Sequence, residues 1–137
     1  LIETSAVDTL MYTKINNQIP IFSKNRVFLY YIYYIYTLKM RLTIILNTNF
    51  IKGVKSIDPL YRNANWVERE ASEMYGIFYT NKKDSRKLLL DYTKDENPLL
   101  KDFPTEGTND IFYDFFEDQV TFEKNNTIEQ SIVKNFI

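Results

Sequence analysis

A short helix with both of its ends written into the sequence constrains the middle of this chain more than any other stretch. It runs Asn65-Trp-Val-Glu-Arg-Glu-Ala-Ser-Glu-Met-Tyr-Gly76. Asn65 is a residue type that caps free helix N–H groups, and Glu68 follows three residues later, where its carboxylate can bond back to the Asn65 amide. Glu68 also puts negative charge in the first turn, where the helix dipole favours it. Gly76 can take the left-handed conformation that closes a helix. Val67, Ala71 and Met74 recur at i, i+4 and i+7 and form an apolar stripe. Glu68, Arg69, Glu70 and Glu73 occupy the remaining surface, and Arg69 and Glu73, one turn apart, can pair for roughly 0.2–0.5 kcal/mol when exposed. So many charges on so short a helix have two readings: a solvated face, or a set of groups that meets a partner.

The inventory of side chains narrows the chemistry. The sequence has no Cys and no His. Disulfides, thiolate nucleophiles, Ser-His and Cys-His catalysis, iron–sulfur ligation and zinc sites of the usual kind are thereby excluded. If the protein takes part in redox chemistry, the cofactors belong to other chains. Glu68, Glu70 and Glu73 invite comparison with carboxylate metal sites, but those built in bundles need Glu-x-x-His pairs from facing helices. Paired carboxylates for glycoside hydrolysis must face one another across a cleft. Arg69 reads instead as a structural fork that ties carboxylates or backbone carbonyls at the junction of helix and loop. A net charge of −1 makes no electrostatic case for nucleic acid or an anionic membrane.

At 137 residues the chain has the length of one domain and can bury about two thirds of its unfolded surface. Aromatic residues make up 16%, which suits a crowded core or a permanent interface. The heavy use of Ile, Asn, Lys, Tyr and Phe fits an AT-rich organellar genome. The chain begins at Leu1, and Glu3 and Asp8 precede its first basic residue, Lys14, a pattern of neither a secretory signal nor an Arg-rich transit peptide. Ile15 to Asn25 is polar and irregular, broken by Pro20.

Val27 to Tyr36 is β-branched and aromatic with apolar residues at every register. It is too short to cross a bilayer and reads as a strand covered on both faces. Thr37 to Met40 turns the chain and Arg41 to Leu46 returns as a second strand. A Tyr-rich strand can also stack the bases of single-stranded nucleic acid, but such platforms carry more cations than the Arg26, Lys39 and Arg41 found here. Asn47 to Lys55, with Gly53, is a loop, and Ser56-Ile-Asp-Pro59 opens a further short helix, Pro being tolerated in a first turn. Ile77 to Tyr79 leaves the central helix as extended chain.

Lys82, Lys83, Arg86 and Lys87 form a basic cluster, either a solvated loop or a site for phosphate or an acidic partner, with Leu88 to Leu90 as its anchor. Pro98 and Pro104 bound an extended stretch in which Leu99, Leu100 and Phe103 accompany Lys101 and Asp102. Such a stretch cannot satisfy its own backbone and lies on another surface. Ile111 to Phe116 is an apolar run edged by acids, and Thr127-x-x-Gln130 can cap a last helix over Ile128 to Asn135. The fold class is α+β: a small mixed or antiparallel sheet with a few short helices in residues 1–97, then a long extended partner-binding tail over 98–137.

Three motifs in step also carry a resemblance. Glu68-Arg69-Glu70-x-x-Glu73-Met74-Tyr75-Gly76-Ile77, preceded by Trp66, resembles the central motif of one subunit family of respiratory complex I, NADH:ubiquinone oxidoreductase. It is the thirty-kilodalton subunit family, also called subunit 9. That family reads Trp-Tyr-Glu-Arg-Glu, two residues, then Asp-Met/Leu-Phe-Gly-Ile. Asp84-x-Arg86-Lys87-Leu88-Leu89 with Asp91-Tyr92 answers its Asp-Leu-Arg-Arg-Ile-Leu, and Pro98-Leu99-x-Lys101-Asp102-Phe103-Pro104 answers its Pro-Leu/Phe-Arg-Lys-Asp-Phe/Tyr-Pro. The chain departs at Lys82-Lys83, where the family commonly has His-Pro, at Leu100 for Arg, at Asn97 for a frequent His and at Ser72 for a second Trp.

The resemblance implies that these motif positions serve structure and interface, with no catalytic, cofactor or metal site in the chain. It implies a non-catalytic, cofactor-free, mitochondrially encoded subunit of the peripheral arm of mitochondrial complex I. Such a chain belongs to the proton-translocating NADH:ubiquinone reductase only as one of its subunits. It braces the forty-nine-kilodalton subunit of the quinone site, beside other peripheral-arm subunits, on the matrix side of the inner membrane with no span of its own. FMN, the iron–sulfur clusters and ubiquinone are then expected on partner subunits. Relatives carry an additional α/β portion before this point. Two alternatives remain: the equivalent subunit of a related membrane-bound hydrogenase or dehydrogenase, separated by its co-purifying subunits, and a single-stranded nucleic-acid-binding module, separated by a salt-dependent affinity for single strands.

Overall fold

The β-branched and aromatic run that begins at Val27 is the central strand of a three-stranded antiparallel sheet. β1 (Glu3–Asp8), β2 (Val27–Ile35) and β3 (Met40–Thr48) lie in the order β1-β2-β3. In this computed structural model the described residues are 1–10, 26–48, 50 and 53–125. They divide into two units, Leu1–Leu100 and a second that begins at Lys101.

In the first unit Ala6 stands opposite Leu29, and Leu29 opposite Leu46. Opposed residues share a face, so Ala6, Val27, Leu29 and Tyr31 project to the same side of the sheet. There they join Ala71, Ile77 and Tyr79 in the core. The β2–β3 turn passes through Lys39 at φ 50°. β2 is covered on both faces only at Val27, Phe28 and Leu29; cover thins along the strand until Tyr34 is exposed. β3 continues the core-facing row as Leu46, Ile44 and Leu42, all exposed.

β4 (Val54–Lys55) and β5 (Tyr79–Thr80) pair in parallel, Val54 opposite Tyr79. Parallel neighbours need a crossover, and here it contains α1 (Ala64–Tyr75), which packs on β1. Gly76 closes α1 in the left-handed region, φ 69°, with its N–H on the Ser72 carbonyl at 2.9 Å. A Cβ there would also come within 3.0 Å of the Asn97 side chain.

The start of α1 differs from the sequence reading. The N-cap is Asn63, not Asn65, and no side chain caps the helix. The amides of Ala64 and Asn65 instead reach the carbonyls of Tyr61 and Arg62, at 2.9 and 3.3 Å. A preceding turn thus satisfies donors that a cap would have served. Asn63 donates to the Leu1 carbonyl at 2.9 Å, and the Asn65 side-chain oxygen is buried without a partner. With the helix begun at Ala64, Glu68 falls outside the first turn, which holds no acid. Ser56 to Pro59 does not open a helix either. Leu60 and Tyr61 both donate to the Ile57 carbonyl, at 2.9 and 3.0 Å, in a single turn.

In the second unit, β6 (Asn109–Asp114) and β7 (Gln119–Lys124) form an antiparallel hairpin with Ile111 opposite Phe122. Its turn ends on Asp118 at φ 52°, a conformation Asp tolerates better than most residues. The pairing is not anticipated by the sequence reading, which has this stretch as extended tail. The irregular segment Ile15 to Asn25 and the capped helix Ile128 to Asn135 lie outside the described residues.

Candidate functional site: a buried charged junction of helix and loop

The charges of α1 turn inward. Glu68, Arg69 and Glu73 are buried, Glu68 completely, so the solvated-face reading is wrong for three of the four. Each meets its own chain. The Glu68 carboxylate accepts from Ser56 Oγ at 2.6 Å and from the Ile57 amide at 2.8 Å, and it pairs with Lys82 Nζ at 3.0 Å. One side chain thereby ties together the segment after β4, the helix and the segment after β5. It does not bond back to the Asn65 amide as a capping box would require.

Arg69 and Glu73 hold the next loop. Arg69 Nε donates to the Arg86 carbonyl at 2.7 Å and Nη2 to the Lys87 carbonyl at 3.0 Å, while Nη1 lies 3.6 Å from Asp84. The Glu73 carboxylate accepts from the amides of Leu88 and, at 2.9 Å, Leu89. The two side chains grip successive carbonyls and amides of one loop rather than each other. Arg69 acts as the fork that its planar geometry suits.

The loop is braced from within. Arg86 holds Asp84 through Nε at 3.0 Å and Nη2 at 2.8 Å, and its own amide donates to the same carboxylate at 3.1 Å. The Arg86 hydrogen bonds, with the nearby Arg69 charge, keep the Asp84 carboxyl well below the usual carboxylate range. Lys87 Nζ donates to the carbonyls of Asp91 and Lys94, and Tyr92 OH donates to the Lys87 carbonyl at 3.0 Å. Asp91 takes the Thr93 amide at 2.9 Å, which lowers its pKa. The basic cluster read from the sequence does not converge on an anion. Lys82 is buried against Glu68, while Arg86 and Lys87 are engaged within the loop.

A cavity of about 280 Å³ opens beside this junction, lined among others by Arg69, Glu73, Lys82, Lys87 and Asn97. On the sheet side, the hydroxyls of Tyr31 and Tyr79 are buried near Glu68, and neither makes a well-formed hydrogen bond. Burial, reinforced by the negative charge of Glu68, raises both phenol pKa values far above normal. Among the described residues no group of three or more Asp or Glu side chains converges as a metal site.

The motif positions therefore separate. Glu68, Arg69, Glu73, Asp84, Arg86, Asp91 and Tyr92 come together at the junction, and Gly76 closes the helix above it. Pro98 is half-buried, and the next residue, Leu99, donates its amide to the Met74 carbonyl at 3.1 Å. Trp66 and Glu70 are exposed on the outer side of α1. Lys101, Phe103 and Pro104 are half-buried and Asp102 exposed, all in the second unit. Ser56, Tyr31 and Tyr79 are not singled out by the sequence. They lie 12, 37 and 11 residues from Glu68, and only the inward register of Tyr31 beside Leu29 hints at one of them.

The loop gripped by a Glu-Arg-x-x-x-Glu helix is matched by the comparison with known families. Residues 1–109 match the family described as the respiratory-chain NADH dehydrogenase, 30 Kd subunit. The chain belongs to this family. It is 38% identical over 130 residues to NADH-ubiquinone oxidoreductase subunit 9 of Paramecium primaurelia, covering 94% of this chain and 61% of that protein. NADH-ubiquinone oxidoreductase subunit 9 of Acanthamoeba castellanii is 38% identical over 66% of this chain and 47% of its own length. The mitochondrial 30.4 kDa subunit of NADH-ubiquinone oxidoreductase from Neurospora crassa is 47% identical over 47% of this chain and 23% of its own. The chain thus spans less than two thirds of each of these relatives. The match to the NADH dehydrogenase subunit family takes in the whole junction and ends at the first residue of β6. Among the described residues no helix is long and apolar enough to cross a membrane.

Proposed function

We propose that this chain is a structural subunit of mitochondrial NADH:ubiquinone oxidoreductase, placed in the peripheral arm on the matrix side of the inner membrane. In this reading it braces the forty-nine-kilodalton subunit of the quinone site, and binds no FMN, iron–sulfur cluster or ubiquinone itself. The observation that carries the proposal is the family match over residues 1–109, coincident with a junction whose charged motif residues are already committed. Glu68, Arg69 and Glu73 are each buried and hydrogen-bonded inside the fold, and a buried group so engaged is poorly placed to transfer protons to a substrate. The lack of Cys and His supports the same reading.

The division of the motif also suggests which residues meet the quinone-site subunit. The inward set holds the fold, whereas Trp66, 63% exposed, and Glu70 face outward. An exposed Trp is a costly thing to leave in water and a frequent anchor of interfaces. In the second unit, Lys101 to Pro104 are proposed as a contact of their own with that subunit. The Tyr-rich strand sends Tyr31 into the core, which leaves a poorer platform for stacking nucleic-acid bases.

Migration of the native protein is the test. The proposal expects it in a large inner-membrane assembly with NADH dehydrogenase activity, together with the quinone-site subunit. Recovery in a hydrogenase assembly, or as a free chain, would overturn it.

A further inference from the structure

A groove of about 320 Å³ lies between β1 and α1, inside the first unit. Ile2 from the strand side, with Val67 and Met74 from the helix, gives it an apolar lining that remains partly exposed. Glu3 and Glu70 line it as well. Both are exposed, and neither carboxylate forms an ion pair or hydrogen bond with a described residue. Glu70 follows Val67 by three residues and precedes Met74 by four, so the acid and the apolar stripe share a side of α1. Thr4 lines the same groove, and its hydroxyl is buried without a partner. No Lys or Arg lines the groove, although residues 1–100 hold fourteen Lys and Arg against ten Asp and Glu, a net charge of +4. The groove is a local acidic spot with an apolar lining in a unit that is basic as a whole.

We propose that this groove takes a Lys side chain presented by another protein subunit, its stem along Ile2, Val67 and Met74 and its ammonium among Glu3, Glu70 and the Thr4 hydroxyl. The chemistry of the lining selects the occupant. A long apolar stem that ends in a cation matches apolar walls with exposed carboxylates beside them. The three N–H donors of an ammonium can be shared among acceptors from separate elements, whereas the flat fork of Arg suits one carboxylate held edge to edge. A second copy of this chain would have to bring a Lys from elsewhere on its surface. Such a head-to-tail contact repeats into a ring or a filament instead of closing on itself. Exposed Trp66 stands one turn before Glu70 on the helix, so a partner that covers the ring also reaches the groove. The inference rests on the subunit reading above and deepens it by naming the side chain that the partner contributes.

The test is zero-length carbodiimide coupling in the native assembly, which joins a carboxylate to an amine in contact with it. The expected product links Glu3 or Glu70 to one Lys of a different polypeptide. Glu3→Gln with Glu70→Gln alters only exposed side chains, and it should lower incorporation into the assembly on the order of tenfold. Exchanging the charges, Glu70→Lys against Glu at the mapped Lys of the partner, should restore incorporation lost by Glu70→Lys alone. A link to a Lys of the same chain or of a second copy overturns the inference. So does the absence of a link, or unchanged incorporation of the double glutamine variant. If the chain sits in the NADH dehydrogenase assembly without the link, the groove proposal alone fails. If the link to another polypeptide forms in a particle lacking that activity, the subunit reading alone fails.

Discussion

Glu68 and Lys82 form a buried ion pair, 3.0 Å apart, with side chains that are 0% and 3% exposed. Burying two charges is expensive, and the arrangement is tolerable because Ser56 and the Ile57 amide complete the carboxylate's shell. Lys82→Met should destabilise the first unit by about 3–5 kcal/mol, because it leaves a buried carboxylate without its counter-ion. Adding Glu68→Gln should restore part of that loss. Urea unfolding of Lys82→Met, Glu68→Gln and the double variant measures the coupling, and strictly additive losses would mean that the pair does not interact.

Arg69 holds two backbone carbonyls and approaches Asp84. Arg69→Ala should cost about 3 kcal/mol, the worth of two hydrogen bonds from a charged donor. Arg69→Lys should recover little, since a single ammonium cannot replace the fork. In cells the expected result is less assembled complex with unchanged NADH oxidation per assembled complex. Normal assembly with abolished turnover would show instead that Arg69 acts in the reaction.

The raised pKa values of Tyr31 and Tyr79 make an alkaline limit. In the unfolded chain both phenols ionise near pH 10, whereas in the fold they stay neutral. Unfolding therefore releases protons above that pH, and stability falls as pH rises beyond about 10. Tyr79→Phe removes a buried hydroxyl that lacks a well-formed hydrogen bond and should be close to neutral at pH 7. The double variant Tyr31→Phe, Tyr79→Phe should unfold at higher pH than the parent in a circular-dichroism titration. An unchanged alkaline midpoint would contradict the assignment.

Asp84 sets the acid side. Its folded pKa is depressed by Arg86, its own loop amide and Arg69. A depressed carboxylate contributes stability that is whole above the unfolded value of about 3.9 and is lost as pH falls toward the folded value. The loop over 84–89 should therefore stay protected from hydrogen exchange down to about pH 4 and loosen below it. Asp84→Asn should flatten this dependence while weakening protection at pH 7. Equal acid sensitivity in both proteins would place the titrating group elsewhere.

Local features are legible from the residues alone, because their causes are local. Gly76 closes α1 since few other residues adopt φ 69° without strain. The β2–β3 hairpin follows from an aromatic and β-branched run, the turn through Thr37 to Lys39 and a second apolar run with β-branched residues. The α+β class and the helix at the centre are of the same kind. A helical repeat reveals which residues share a face, but not which face is covered. Val67, Ala71 and Met74 read as the apolar side, yet Glu68, Arg69 and Glu73 are the residues that α1 buries more deeply than Val67 and Met74. Their partners lie 11 to 18 residues away, at Ser56, Ile57, Lys82, Arg86, Lys87, Leu88 and Leu89. No periodicity within a helix encodes such distances. The N-cap moves to Asn63 for the same reason, because a turn at Tyr61 and Arg62 supplies the acceptors. The β6–β7 pairing escapes a reading of the sequence because apolar residues mark both faces of Ile111 to Phe116, and its turn depends on Asp118 taking a positive φ. Tertiary structure decided these points because the free energy of a buried charge depends on what surrounds it, and the surroundings are assembled only when distant segments of the chain meet.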